Sequence, residues 1–139
     1  MTSVPESFHD LFERSLVAHF TTLMPDGTPY PRPVWIDYDA DADRVVVNSG
    51  LDRQKAQNAA RNEKVGVSIV DPSEVYRFVS VRGRVEEITE EGAERHIDEL
   101  ARQYMGVEEW PDHSEDVTRV KIRIRPEDVV TSDSTGNTS

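Results

Sequence analysis

Polar and apolar positions alternate with period two over most of this chain and with period 3.6 in two places, so strands dominate the reading. Val17 to Met24 and Pro29 to Tyr38 are β-prone and flank Pro25, Asp26 and Gly27, whose fixed φ, local acceptor and tolerated positive φ predict a hairpin. A second turn, Asp39 to Asp43, returns the chain into Arg44 to Asn48. The Val45, Val46, Val47 run there suits a strand buried on both faces, and these three strands read as a meander. Val65 to Val70 is another strand, ended by Asp71 and Pro72. From Tyr76 to Ile88, Val79, Val81, Gly83 and Val85 alternate with Ser80, Arg82, Arg84 and Glu86. The last strand sets Val120, Ile122 and Ile124 against Arg119, Lys121, Arg123 and Arg125.

Three helices interrupt the strands. Ser3 and Glu6 stand at capping-box spacing with Pro5 in the first turn, predicting a helix to about Ser15 that shows Phe8, Leu11 and Phe12 on one face. Asp52 suits the N-cap of a short helix from about Arg53 to Arg61. Thr89 suits the cap of a longer one, with Ala93, Ile97, Leu100, Ala101 and Tyr104 as its apolar stripe and Gly106 past its end. Six strands at short spacing with few helices predict a mainly β (α+β) class, a closed or nearly closed antiparallel barrel rather than a βαβ sheet. Residues 1–131 read as a single domain. Val107 to Asp116 reads as a mobile loop and 132–139 as a disordered polar tail.

Composition narrows the function classes. A net charge of -11 disfavours nucleic acid and anionic membrane as partners, because both need basic surface. No leader-like or membrane-spanning apolar run is present, so a soluble, cytoplasmic protein is expected. Clustered acids such as Asp37, Asp39, Asp41 and Asp43, with lysine only at 55, 64 and 121, point to a halophilic source whose salt screens the repulsion. The absence of cysteine removes thiolate metal sites and a cysteine nucleophile. His9, His19, His96 and His113 show no metal-ligand spacing, and G-x-S-x-G, Walker and G-x-G-x-x-G motifs are absent. No metal site is expected, and no side chain stands out as catalytic. His96, between Glu94 and Glu99, reads as part of a solvated helix face.

The segment Asn48, Ser49, Gly50, Leu51, Asp52, Arg53, Gln54, Lys55 carries more chemistry. It joins a buried strand to a helix start and brings two cations there, where exposed amides and charge-assisted donors favour an anion such as phosphate. An ordinary capped helix with solvated cations has the same spacing. The Arg119 to Arg125 stripe fits a solvated sheet face or an anion contact, and Trp110, in a polar loop, is an interface candidate.

P-x-P-V-W on a strand (Pro31 to Trp35), a basic residue opening the short helix, V-x-G-x-V-E (Val81 to Glu86) and a helix ending in Y-M-G (Tyr104 to Gly106) occur in that order. In this order of motifs, over roughly Leu16 to Val130, the chain resembles the pyridoxamine 5′-phosphate oxidase-like superfamily, and within it the branch of probable deazaflavin-dependent enzymes. The resemblance implies a six-stranded split β-barrel with flanking helices, a homodimer, and a cofactor in the groove between subunits. It implies coenzyme F420 in preference to FMN, and hydride transfer to or from a small-molecule substrate. Pro33, Val34 and Trp35 would pass beneath the cofactor ring, Asn48, Ser49, Arg53, Gln54 and Lys55 would hold its phosphate, and Tyr76 would lie near the ring. The C-terminal extension of true pyridoxamine phosphate oxidases is not seen, so vitamin B6 oxidation is not expected. The same fold also serves non-catalytic proteins that bind or store flavin, F420 or heme.

Overall fold

Arg44–Gly50 (β4) is apolar on both faces, with Val45, Val46 and Val47 all buried, and such a strand needs partners on both sides. In the computed structural model, which describes residues 1–133, it finds them in Asp37–Asp39 (β3) and in Arg119–Ser132 (β7). The β3–β4 hairpin uses the turn predicted at Asp39 to Asp43, but β3 is only the end of the segment read as one strand from Pro29 to Tyr38, and β7 is not the neighbour the sequence suggested. Ala18–Leu23 (β1) and Pro29–Val34 (β2) do form the expected hairpin, closed by Met24 N–H donating to Thr28 O at 2.9 Å. The β2 ladder stops at Val34, however, and the chain crosses to the far edge before β3. The meander is therefore replaced by a crossover. Lys64–Asp71 (β5) and Glu74–Thr89 (β6) complete one antiparallel sheet in the order β2-β1-β5-β6-β7-β4-β3.

Among the described residues the sheet thus has seven strands, not six, and its ladder stays open between β2 and β3 rather than closing. The expected mainly β class with flanking helices holds. Phe20, Ile36, Ile69, Val79, Val81, Ile122 and Ile124, all close to fully buried, fill the interior, with Leu11 and Phe12 packed on them. The alternation read along β6 and β7 is what supplies this face.

Three caps differ from the sequence reading. The first helix is only a 3-10 turn, Glu6–Phe8, followed by Asp10–Glu13 (α1), and no side chain caps either piece. Ser15 sits at φ 58 and ends it. Gln54–Arg61 (α2) starts after Arg53, again without a side-chain cap, so Asp52 does not fill that role. Ala93–Met105 (α3) starts after Gly92 at φ 72, while the Thr89 hydroxyl accepts from Glu91 N–H at 3.1 Å and caps a turn instead. The stripe on α3 and the end at Gly106 stand as read. Of the tail 132–139, Ser132 ends β7 and Asp133 is described; the remainder of that expectation lies outside the described residues.

Candidate cofactor-binding site

The end of β4, the start of β7, the α2 N-terminus and one face of α3 surround a cleft of about 340 Å³. Its lining combines apolar groups (Val17, Val34, Ile97, Leu100), tryptophans (Trp35, Trp110) and cations (Arg53, Lys55, Arg119). Trp35 is stacked on Tyr104 with centroids 5.1 Å apart and meets Trp110 edge-on at 5.6 Å. The Tyr104 hydroxyl donates to Leu16 O at 2.7 Å and accepts from Ile36 N–H at 3.1 Å, which ties the β2–β3 crossover to the end of α3. One wall is therefore aromatic and braced from behind.

The α2 N-terminus forms the opposite wall. Ala56 and Ala59 bury the helix against the sheet, and Asn58, fully buried, donates to the Thr22 hydroxyl at 3.0 Å. Gln54 donates to Asn58 Oδ1 at 2.8 Å. With no side chain capping α2, the amides of Gln54 and Lys55 keep no intrahelical partner, and they face the same end as the cations. Gly50 also lines the cleft, and a Cβ there would come within 2.8 Å of Asp52 Oδ1 and 3.2 Å of Val117.

Charge at this end is unbalanced. Arg32, Arg53, Lys55 and Arg119 make no ion pair among the described residues, although the chain as a whole is strongly acidic. Burial pushes the Lys55 ammonium below its ordinary value, and Arg53, Arg119 and Arg32 push it the same way. Burial likewise lowers Arg119, with Arg53 adding to it and Glu94 and Asp52 opposing. A cluster of mutually repelling, partly desolvated cations is unfavourable until an anion neutralises it.

Six of the residues read from sequence, Pro33, Val34, Trp35, Asn48, Arg53 and Lys55, meet in this one cleft. Gln54 lines a smaller adjoining recess with Tyr30, Arg32, Pro33, Arg53 and Lys55. Ser49 does not reach either: it is 1% exposed and its hydroxyl donates to Gly50 O. Tyr76 stands 76% exposed near the start of β6, outside the lining of this cleft. The cationic stripe divides. Arg119 joins the cleft, whereas Arg123 pairs with Asp39 and Arg125 with Glu127. Sequence reasoning missed Arg32, Ile97 and Leu100 as lining, and it misplaced His96. That histidine is not solvated but buried, between Asp37 and Asn48. Its spacing from Ala93, Ile97 and Leu100 places it on the apolar stripe, a signal available in the sequence.

A family model described as pyridoxamine 5′-phosphate oxidase matches residues 4–133. The chain belongs to the pyridoxamine 5′-phosphate oxidase family. Among solved structures, an F420 reductase is 33% identical, covers 91% of this chain and 98% of its own, and superposes with a TM-score of 0.79. A conserved hypothetical protein from Mycobacterium tuberculosis is 23% identical over 96% of this chain and 87% of its own, with a TM-score of 0.74. HupZ from Group A Streptococcus is 22% identical over 98% of each chain, with a TM-score of 0.69. The last two share the family's fold. No curated protein matches. No helix among the described residues is long and apolar enough to cross a membrane.

Proposed function

We propose that this member of the pyridoxamine 5′-phosphate oxidase family is an oxidoreductase that binds coenzyme F420, in preference to FMN, and exchanges a hydride with a small organic substrate. The observation that carries this reading is the set of unpaired cations, Arg32, Arg53, Lys55 and Arg119, on the rim of an aromatic cleft in an acidic protein. Flat apolar walls suit a tricyclic ring, and an uncapped helix start flanked by cations suits its phosphate. Four cations also outnumber the charge of a single phosphate, which favours the deazaflavin with its acidic tail. The 33% identity to an F420 reductase supports the same choice.

When bound, the cofactor supplies the hydride chemistry, and the chain's own groups supply binding, orientation and exclusion of water. Pro33, Val34 and Trp35 would lie beside the ring, and Arg53 and Lys55, with the Gln54 and Lys55 amides, would hold the phosphate. A second copy of the chain would complete the groove. Tyr76, exposed and outside its own chain's cleft lining, would then face the partner's cofactor.

Titration of the purified protein with each cofactor, followed as a Tm shift, tests the reading. A ligand bound only by the native state at a hundredfold over its Kd stabilises by about 2.7 kcal/mol. Coenzyme F420 should raise Tm at lower concentration than FMN, and reduced cofactor should then be consumed on addition of an electron-poor substrate. A tenfold preference for FMN overturns the cofactor choice. No shift with either overturns the cofactor reading, and binding without turnover marks a carrier.

A further inference from the structure

Behind the cleft lies a polar chain of four side chains from four elements, buried at its centre: Asp37 on β3, His96 on α3, Asn48 on β4 and Arg119 on β7. His96 Nε2 stands 2.9 Å from Asp37 Oδ2, His96 Nδ1 is 3.1 Å from Asn48 Nδ2, and Arg119 Nε donates to Asn48 Oδ1 at 2.9 Å. Asn48 and His96 are both buried, at 9% and 7% exposure, so the contact between them has little water to replace it.

Every donor in this chain is fixed by its two ends. Arg119 Nε–H only donates, so Asn48 must turn its carbonyl oxygen toward it. The amide nitrogen of Asn48 then faces Ala93 O, which only accepts, at 2.9 Å, and donates its other hydrogen to His96 Nδ1. Nδ1 must therefore carry a lone pair, and the ring proton sits on Nε2, donated to the Asp37 carboxylate. The His96 contact holds that carboxyl below the usual carboxylate range, in keeping with an ionised acceptor. A reversal of the Asn48 amide would set its NH₂ against the Arg119 Nε–H.

We infer that His96 is a positioning residue: through Asn48 it fixes the Arg119 guanidinium by its Nε, leaving both Nη groups free in the cleft as an anion contact. Arg119 has no acid partner among the described residues, and its charged carbon lies 5.8 Å from the Trp110 ring centroid. One neutral acceptor orients it without quenching its charge. A carboxylate at position 48 would do the opposite, pairing with Arg119 and withdrawing it from the ligand. The group Arg119 would take is a phosphate or carboxylate oxygen of the anionic cofactor, so this inference rests on the function proposed above.

Two measurements test it separately from that function. In the protein without cofactor, ¹⁵N NMR should find His96 as the Nε2–H tautomer and Arg119 Nε–H protected from exchange. An Nδ1–H tautomer overturns the relay whether or not a cofactor binds. In cofactor titrations, with coenzyme F420 and FMN as probes, Arg119→Gln should weaken binding by about tenfold. His96→Leu should weaken it comparably, and the double variant should be little worse than either. His96→Gln, which keeps an acceptor toward Asn48 and a donor toward Asp37, should restore most of the affinity. Equal loss in His96→Gln and His96→Leu, or full affinity in His96→Leu, overturns the proposal while leaving the cofactor reading intact. Should His96→Leu not fold, the tautomer and the His96→Gln titration still decide.

Discussion

Two groups of cations in this molecule differ in whether the fold brings an acid to them. On one side Asp71, buried at the β5–β6 turn, accepts from Arg14 through two bonds at 2.9 and 3.2 Å, from Arg77 at 3.2 Å, and from the Ser73 amide and hydroxyl. Arg77 also holds Asp10 at 2.7 Å, which fastens α1 to the sheet. On the other side Arg32, Arg53, Lys55 and Arg119 converge with no acid within pairing distance among the described residues. The first network closes on itself and is structural. The second is open, and an anion from outside would complete it.

The largest expected effect comes from breaking the closed network. Asp71→Asn leaves two arginines facing a neutral amide and should lower Tm by roughly 10 °C or more, with cofactor affinity unchanged. The Arg14 and Ser73 contacts hold Asp71 well below the usual carboxylate range, and Arg77 adds to this. Its stabilisation is therefore present above the unfolded value of about 3.9 and is lost as pH falls through the folded one. The variant should lack that part of the acid transition, and an unchanged acid limb would contradict the assignment.

The open cluster should show the reverse pattern. Arg53→Ala or Lys55→Ala should weaken cofactor binding about ten- to a hundredfold, since each removes a charge-assisted contact of roughly 1.5 to 3 kcal/mol, and should leave the Tm of the cofactor-free protein unchanged or raised. Because Lys55 titrates below its ordinary 10.5 in the fold, the cofactor-free protein should gain stability as pH rises toward that value, and Lys55→Met should flatten the slope. A large loss of Tm in these variants would place the cluster with the structural cations.

A smaller effect concerns the loop that carries Trp110. Its amide donates to Asp98 Oδ1 at 2.8 Å, and His113 sits with one ring nitrogen 2.7 Å from Asp98 and the other 2.6 Å from Glu94. Asp98 first, with Glu94 assisting, raises the His113 pKa above 6.5. This raised value means the latch is fully present below 6.5 and is lost as pH rises through the folded value. Tryptophan fluorescence should change over that window, and His113→Gln should abolish the step. A pH profile identical in the variant would remove His113 from the latch.

How much of this was legible beforehand follows from the range of the interactions. Strand and helix identities come from local periodicity, so β1, β5, β6, the first half of β7 and the α3 stripe were read nearly in place. The meeting of Asn48, Arg53 and Lys55 in one cleft was legible for the same reason, since they are neighbours in sequence. The β4–β7 pairing joins Val47 to Ile122 across most of the chain, and nothing local announces it. Pro33 to Ile36 looked like continued strand, yet the ladder breaks there because Ile36 turns inward to full burial. His96 was misjudged by its polarity rather than its position, for its spacing already placed it among the buried residues of α3.

The edge strand β2 carries proline at 29, 31 and 33, always on the same alternate positions. A proline offers no N–H to a ladder, so these three positions must turn their nitrogens away from β1, and the outer rim of the sheet presents no donors there. The carbonyl exposed at Pro31 is already taken by the Arg32 guanidinium at 2.9 Å. A stray extended chain meeting this rim finds nothing to zip onto. Newly made copies, still crowded and incompletely folded, are thereby steered away from fibrous edge-to-edge growth through this rim.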